Sequence, residues 1–228
     1  MSEVKKISWS HSRIDDFKRC ARMFYEKNIA KTVPFEQTAP MLEGDRVHKM
    51  LDKRIRSNEA LAIDYQHLEP LVQSILRAPG QTFAEQKMTI NDRLSPTGWF
   101  SDDAYCRIIV DVMKINGEMG FMGDWKTGKP KFDDHQLKLF AAVGFEFFPS
   151  LVQITTAYIW LKTKMLDPKV YVRTDLPRMW EELLVEPTRL QDYANRNYWP
   201  ERPGNHCKYC GVNKQRRCTS ASEPYRGS

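Results

Sequence analysis

Two strand-like runs joined by a tight turn constrain this chain more than any other feature. Residues 104–115 read Ala-Tyr-Cys-Arg-Ile-Ile-Val-Asp-Val-Met-Lys-Ile, Asn116-Gly117 is a hairpin turn signal, and residues 119–127 return. One acid, Asp111, sits inside the apolar outgoing run, and a second, Asp124, lies on the returning one. A carboxylate among Ile, Val and Met is costly to bury unless it is paired or metal-bound. Asp124 and Lys126 are two residues apart, so on a strand their side chains share a face. The hairpin therefore gathers two carboxylates and an ammonium where a sheet ends and a cleft can open.

Elements predicted on either side give the hairpin a setting. Apolar residues at helical spacing predict helices over residues 12–30, 41–55, 65–76, 132–148 and 176–198, the last broken or kinked at Pro187. Ser12 and Asp15 have capping-box-like spacing at the start of the first, and residues 31–40 form a Pro-containing loop after it. Alternation predicts strands over residues 83–90, 152–162 and 169–173, with Glu85 and Lys87 on one face of the first. The order of elements gives one α/β domain over residues 1–228, with a mixed central sheet flanked by helices.

Gly44 and His48 are four apart and share a helix face. Glycine inside a helix costs about 1 kcal/mol against Ala, so Gly44 is expected where something approaches the backbone closely.

No apolar run approaches the length of a bilayer span, and the first ten residues lack the apolar core of a signal peptide, so a cytoplasmic protein with no membrane partner is expected. The net charge of +6 suits a polyanionic partner. No Gly-x-x-x-x-Gly-Lys-[Ser/Thr] nucleotide loop is present. Of five cysteines, Cys207, Cys210 and Cys218 cluster near the C-terminus, one thiol short of a closed tetrahedral site. Cys20 suits either a small core residue or a ligand, and Cys106, embedded in a strand, reads as structural. The tail after residue 200 has no room for a core of its own, and a metal site is the natural way to hold it.

Taken together, these motifs resemble the PD-(D/E)XK nuclease superfamily and, within it, the RecB-like branch that includes CRISPR-associated and phage exonucleases. That branch carries Gly-x-x-x-His on an early helix, an Asp on a central strand, Asp-x-Lys on the next strand, and Gln-x-x-x-Tyr on a following helix. Gly44 to His48, Asp111, Asp124-Trp125-Lys126 and Gln136 to Phe140 stand here in that order. Iron–sulfur members add one cysteine in a Ser-x-x-x-x-Phe-x-x-Cys helix and three near the C-terminus, matched by Ser12, Phe17 and Cys20, and by Cys207, Cys210 and Cys218. The chain departs from the pattern at Phe140, where Tyr is usual, at Ala21, where Pro is common, and at Arg107. It also departs in the seven residues between Cys210 and Cys218.

The resemblance implies a restriction-endonuclease-like core whose N- and C-terminal segments, residues 8–30 and 200–218, are joined by a cysteine metal cluster. It implies a metal-dependent deoxyribonuclease, most simply an exonuclease of DNA recombination, repair or degradation, acting on DNA that is single-stranded or has free ends. The alternative is a non-catalytic DNA-binding or scaffold subunit with the same fold. His48, Asp111, Asp124 and the Trp125 backbone carbonyl would hold Mg²⁺ or Mn²⁺. Lys126 would orient water and offset phosphate charge, Gln136 would position DNA or water, and Glu85 would stand in an outer shell. Cys20, Cys207, Cys210 and Cys218 would hold a 4Fe-4S cluster, or Zn²⁺ with the same thiolates. Lys129, Lys131 and Lys138 would contact the DNA backbone.

Overall fold

The computed structural model describes residues 6–34, 36–130 and 133–226. Along the chain, α1 (His11–Arg19) and α2 (Ala21–Phe24) lead into a π-helical turn at Tyr25–Ile29, followed by α3 (Ala39–Ser57). A 3₁₀ turn at Ile63–Leu68 opens onto α4 (Glu69–Arg77). The strands β1 (Gln81–Ile90), β2 (Cys106–Asn116) and β3 (Met119–Lys126) come next, then α5 (His135–Phe147), β4 (Gln153–Trp160) and β5 (Met165–Val172). The chain closes with α6 (Leu176–Leu183), α7 (Val185–Asn195), a 3₁₀ turn at Asn205–Tyr209 and α8 (Gly211–Lys214). These elements divide into two compact units, Ala39–Glu182, and Met1–Thr38 with Leu183–Ser228.

The first of these units is the sheet. Its strand order is β1-β2-β3-β4-β5, antiparallel throughout except for the β3–β4 pair, which is parallel and therefore needs the crossover that α5 supplies. The hairpin turns through Gly117 at φ +58, the left-handed value that the primed two-residue turns require. Helix α5 is apolar on nearly every side and is almost wholly buried. It lies close enough that a Cβ at Gly144 would stand 2.3 Å from Met122 Cε, so a larger residue there would force the Met122 side chain to shift. Val47 and Leu51 of α3, with Val72 and Ile75 of α4, pack with Val112, Trp125 and Ile159 of the sheet. Pro168 sits on β5, an edge strand, where a missing N–H costs no central ladder bond.

The second unit has mostly short helices and no strand of the sheet among its described residues, and it makes use of polar anchors. The helix expected over residues 12–30 is broken at Cys20, whose extended backbone (φ −163, ψ 118) ends α1 and starts α2. The N-cap is Ser10 rather than Ser12, its side chain accepting the Arg13 N–H at 3.4 Å. Phe17 and Phe24 make an apolar centre with Tyr193 and Trp199. Glu26, 1 % exposed, meets Arg22 at 2.7 Å and Arg217 at 3.2 Å, tying the N-terminal helices to the tail. Glu201 accepts the N–H groups of Thr219 (3.1 Å) and Ser220 (2.8 Å) and the Thr219 hydroxyl, which fixes the loop after Cys218. Burial alone would raise the Glu201 pKa, but these donors outweigh it and hold the carboxyl at about 2.

Two further boundaries differ from the sequence expectation. Pro40, assigned to a loop, lies in the first turn of α3, where its missing N–H is unneeded. The helix predicted over residues 176–198 breaks at Leu184, and Pro187 falls in the first turn of α7, which it starts rather than kinks. No helix among the described residues is long and apolar enough to cross a membrane.

Candidate active site

The site lies where two strands part. The β2–β3 ladder runs from Asn116↔Met119 to Val112↔Gly123 and stops there. Yet β2 stays paired to β1 as far as Cys106, and β3 stays paired to β4 as far as Lys126. Asp111 and Asp124 are the first residues past the last rung, one on each side of this fork. Both are buried. In place of a ladder bond, the Trp125 N–H donates to Asp111 Oδ2 at 2.7 Å.

Helix α3 closes the fork. Its Val47 and Leu51 share a core with Val112 and Trp125, and that packing presents His48 to the open end. His48 Nε2 lies 2.9 Å from the Trp125 carbonyl, which can only accept, so Nε2 carries a proton. Nδ1 faces Asp111 Oδ1 at 3.3 Å. Burial disfavours the imidazolium, but the bonded Asp111 and the nearby Asp124 and Glu85 charges prevail and raise the His48 pKa above its ordinary value.

Asp124 belongs to a closed triad. Gln136, in the first turn of α5, donates from Nε2 to Asp124 Oδ1 at 2.8 Å, and its Oε1 accepts from Lys126 Nζ at 3.0 Å. This fixes the orientation of the Gln136 amide. Asp124 Oδ2 is 2.6 Å from Lys126 Nζ but makes no hydrogen bond of ordinary geometry, which leaves a buried oxygen with lone pairs to spare. Burial, then the Asp111 charge, push the Asp124 pKa up to about 6 despite Lys126. Lys126 Nζ also lies 5.0 Å from the centre of the Tyr158 ring. Tyr158 pairs with Asp124 across the parallel rung, a register the sequence alone does not specify.

Glu85 stands nearer the centre than an outer-shell residue would. In the β1–β2 register it is flanked by the rungs Ala84↔Val112 and Gln86↔Val110, which puts it opposite Asp111. Its φ of +46 is left-handed, a conformation rare for a non-glycine residue inside a strand. His48, Glu85 and Asp111 each offer one ligand atom within 4.8 Å of the others. With Asp45 and Asp52 they line a cavity of about 440 Å³. Burial, then the Asp111 charge, raise the Glu85 pKa. An acid two residues from Lys87 in an alternating strand was the only sequence signal for it.

The remaining expectations fall as follows. Phe140 is buried, so the position where the pattern has a phenol serves the core of α5. A Cβ at Gly44 would meet only Thr127 Oγ1, at 3.6 Å, so the chain itself does not crowd this glycine. Lys129 is exposed in the loop after β3, and Lys138 is ion-paired with Glu182. Lys131 lies outside the described residues.

Cys20, Cys207, Cys210 and Cys218 all fall in the unit that joins the two ends of the chain, the first three buried and Cys218 half-buried. Cys20 Sγ accepts the Arg202 N–H, and Cys207 Sγ the Gly204 N–H, each at 3.4 Å. Burial pushes the Cys207 thiol up, but the Gly204 N–H and donors from Ser222 outweigh it, and its pKa lies below the ordinary value. Burial raises those of Cys210 and Cys218. Cys106 is fully buried in β2, where desolvation pushes its thiol up.

The five-stranded mixed sheet flanked by helices defines an α/β protein. Over 97% of its length the chain matches the crystal structure of a protein from Eubacterium rectale described as a "Putative exonuclease". The match covers 92% of that chain, at 14% identity and a TM-score of 0.56, and it shows a shared fold. A second solved structure matches 97% of this chain and 91% of its own, at 16% identity and a TM-score of 0.41, too low to bear on the fold. No protein-family model and no curated protein sequence matches the chain.

Proposed function

We propose that this protein is a metal-dependent DNA nuclease of the RecB-like type, hydrolysing phosphodiester bonds from strand ends. The observation that carries the reading is the fork itself. Two buried carboxylates face each other past the last rung of a hairpin, with an ammonium and a histidine beside them. The description given to the Eubacterium rectale neighbour agrees with it.

The donor set fits a hard divalent cation. Asp111, Asp124, Glu85 and the Trp125 carbonyl offer oxygen, His48 offers one imidazole, and Asp124 Oδ2 is met only by the Lys126 ammonium. When bound, Mg²⁺ or Mn²⁺ would supply Lewis acidity at the phosphate and lower the pKa of bound water. The residues of the chain do the rest. Lys126 holds a positive charge where phosphate charge develops, and its amine is placed to orient the attacking water. Gln136 braces Lys126 and Asp124 together, so neither reorients during the reaction. His48 fixes the Trp125 peptide and Asp111 relative to each other.

Asp124→Asn and Lys126→Ala are each expected to lower cleavage of end-labelled linear DNA by at least about 100-fold, the scale of losing one electrostatic stabiliser. Circular DNA left intact by the parent protein marks an exonuclease. Full activity in either variant would sink the assignment.

The cysteine unit is proposed to hold a 4Fe-4S cluster on Cys20, Cys207, Cys210 and Cys218. Four thiols in one unit, two of them accepting backbone N–H bonds, suit thiolate ligands, and such bonds tune iron–sulfur sites. Anaerobically purified protein is expected to be brown, with stoichiometric iron and sulfide; colourless, zinc-loaded protein would assign the thiolates to zinc instead.

A further inference from the structure

The net positive charge of this protein is concentrated in the cysteine unit. The cysteine unit has 16 Lys and Arg against nine Asp and Glu, whereas the sheet unit has 19 against 20. The whole excess of +6 therefore resides in the smaller unit.

Several cations there are neutralised locally. Arg22 and Arg217 share Glu26, and Lys214 pairs with Glu36. A different arrangement surrounds Cys20. Lys18 and Arg19 end α1 and are exposed. Arg202, also exposed, donates from Nη1 to the Lys18 carbonyl and from its backbone N–H to Cys20 Sγ, so it lies against the same turn. None of the three has a carboxylate partner among the described residues. His206 lies beside Arg19 and Arg202, and burial together with those two charges keeps its pKa low. The C-terminal end of α1 offers about half a negative charge, too little to offset three cations. The repulsion is relieved when an anion binds.

We propose that Lys18, Arg19 and Arg202 form a grip for the phosphate backbone of a nucleic-acid strand, built on the cysteine unit and separate in residues from the fork. The inference rests on the nuclease reading for the identity of the anion. It also gives the cysteine site a second consequence. The bond from the Arg202 backbone to Cys20 Sγ fixes the chain that carries one cation of the grip, so the ligand residue and the grip are held as one piece.

The test is fluorescence anisotropy with a labelled single-stranded DNA oligonucleotide, in the Asp124→Asn background and without added divalent cation, over a range of salt. Lys18→Glu/Arg19→Glu is expected to weaken binding by at least about 10-fold. It should also flatten the salt dependence by about 1.4 in log Kd per log salt, the release expected for two lost contacts to a single strand. Lys18→Gln/Arg19→Gln, which removes charge without reversing it, should move both quantities the same way and serves if the first variant misfolds. A matched reversal on the sheet unit, Lys162→Glu/Lys169→Glu, should have a much smaller effect. Unchanged affinity and slope in the Lys18/Arg19 variants, or equal weakening in the matched control, would overturn the grip while leaving the nuclease reading intact. Displacement by millimolar inorganic phosphate beyond that of chloride at equal ionic strength would also overturn it, in favour of a free-phosphate site. A parent protein that binds the strand through this patch but never cleaves DNA with Mn²⁺ would sustain the grip and defeat the nuclease.

Discussion

The two units bury charge for opposite ends. In the sheet unit, Asp111, Asp124 and Glu85 gather with His48 at the open end of β2 and β3, and burial, then the Asp111 charge, raise the Asp124 pKa to about 6. In the cysteine unit, buried Glu26 is matched by Arg22 and Arg217, and Glu201 is saturated with donors and driven to about 2. The physical reason is the size of the apolar core. The sheet unit has α3, α4 and α5 packed with five strands and can carry an unfavourable cluster. The other has short helices and a tail with almost no regular structure, so its ion pairs and hydrogen-bonded anchors do much of the holding. On the nuclease reading, charge buried at the fork serves chemistry, whereas Arg54 and Lys114 elsewhere in the sheet unit, like Glu26 in the other, are buried with structural partners.

Substitutions can break that contrast. The largest effect is expected at the fork. Asp124→Asn should remove at least about 100-fold of activity yet leave the metal-free melting temperature unchanged or higher, because it deletes one of two facing carboxylates. A large drop in melting temperature would mean that the fork is structural. In the cysteine unit, Cys218→Ser should lose bound metal and lower the melting temperature by several degrees, since metal-binding energy there is folding energy. Cys106→Ser, in β2, should leave metal content unchanged. Equal metal content in all three proteins would remove Cys218 from the ligand set.

Smaller effects sharpen the comparison. Glu26→Ala is expected to cost about 2 kcal/mol in chemical denaturation, the scale of losing hydrogen bonds to charged groups, with the half-exposed arginines returning to water. Activity per folded molecule should be unaffected. Glu201 has a folded pKa below its unfolded value, so its contribution is fully present above about pH 4.3 and is lost as pH falls towards 2. Glu201→Gln should therefore flatten the acid limb of the stability profile in that window, and an unaltered limb would contradict the anchor. Last, Gly44→Ala should raise stability by up to about 1 kcal/mol, because a Cβ there meets only Thr127 Oγ1. If DNA cleavage also falls, the open space over Gly44 belongs to the substrate.

Much of the sheet unit was legible because its signals are local. Alternation and Asn116-Gly117 place the hairpin, and helical spacing places α3, α4 and α5 within a few residues. Motif order brings His48, Asp111, Asp124, Lys126 and Gln136 into consideration together. The cysteine unit was less legible. Cys20 breaks a periodicity that reads as one helix, because a single extended residue leaves the apolar spacing on both sides nearly intact. Glu26 and Glu201 look like surface acids, since Arg217, which meets the first, and Thr219 and Ser220, which meet the second, are brought to them by the fold of the tail.

What the sequence by itself determined is the inventory and order of the elements: a hairpin with two acids in an apolar setting, a glycine–histidine helix before it, a glutamine helix after it, and cysteines near both ends. Only the tertiary structure decided where β2 leaves β3, and with that which groups share a site. The fork depends on a register that ends at Val112↔Gly123, and register is a property of paired strands, not of either strand alone. Glu85 was placed opposite Asp111 by the β1–β2 register, Tyr158 beside Lys126 by the β3–β4 register, and Arg202 beside Lys18 and Arg19 by the return of the tail. Each of these contacts joins residues far apart in the chain, which no local pattern encodes.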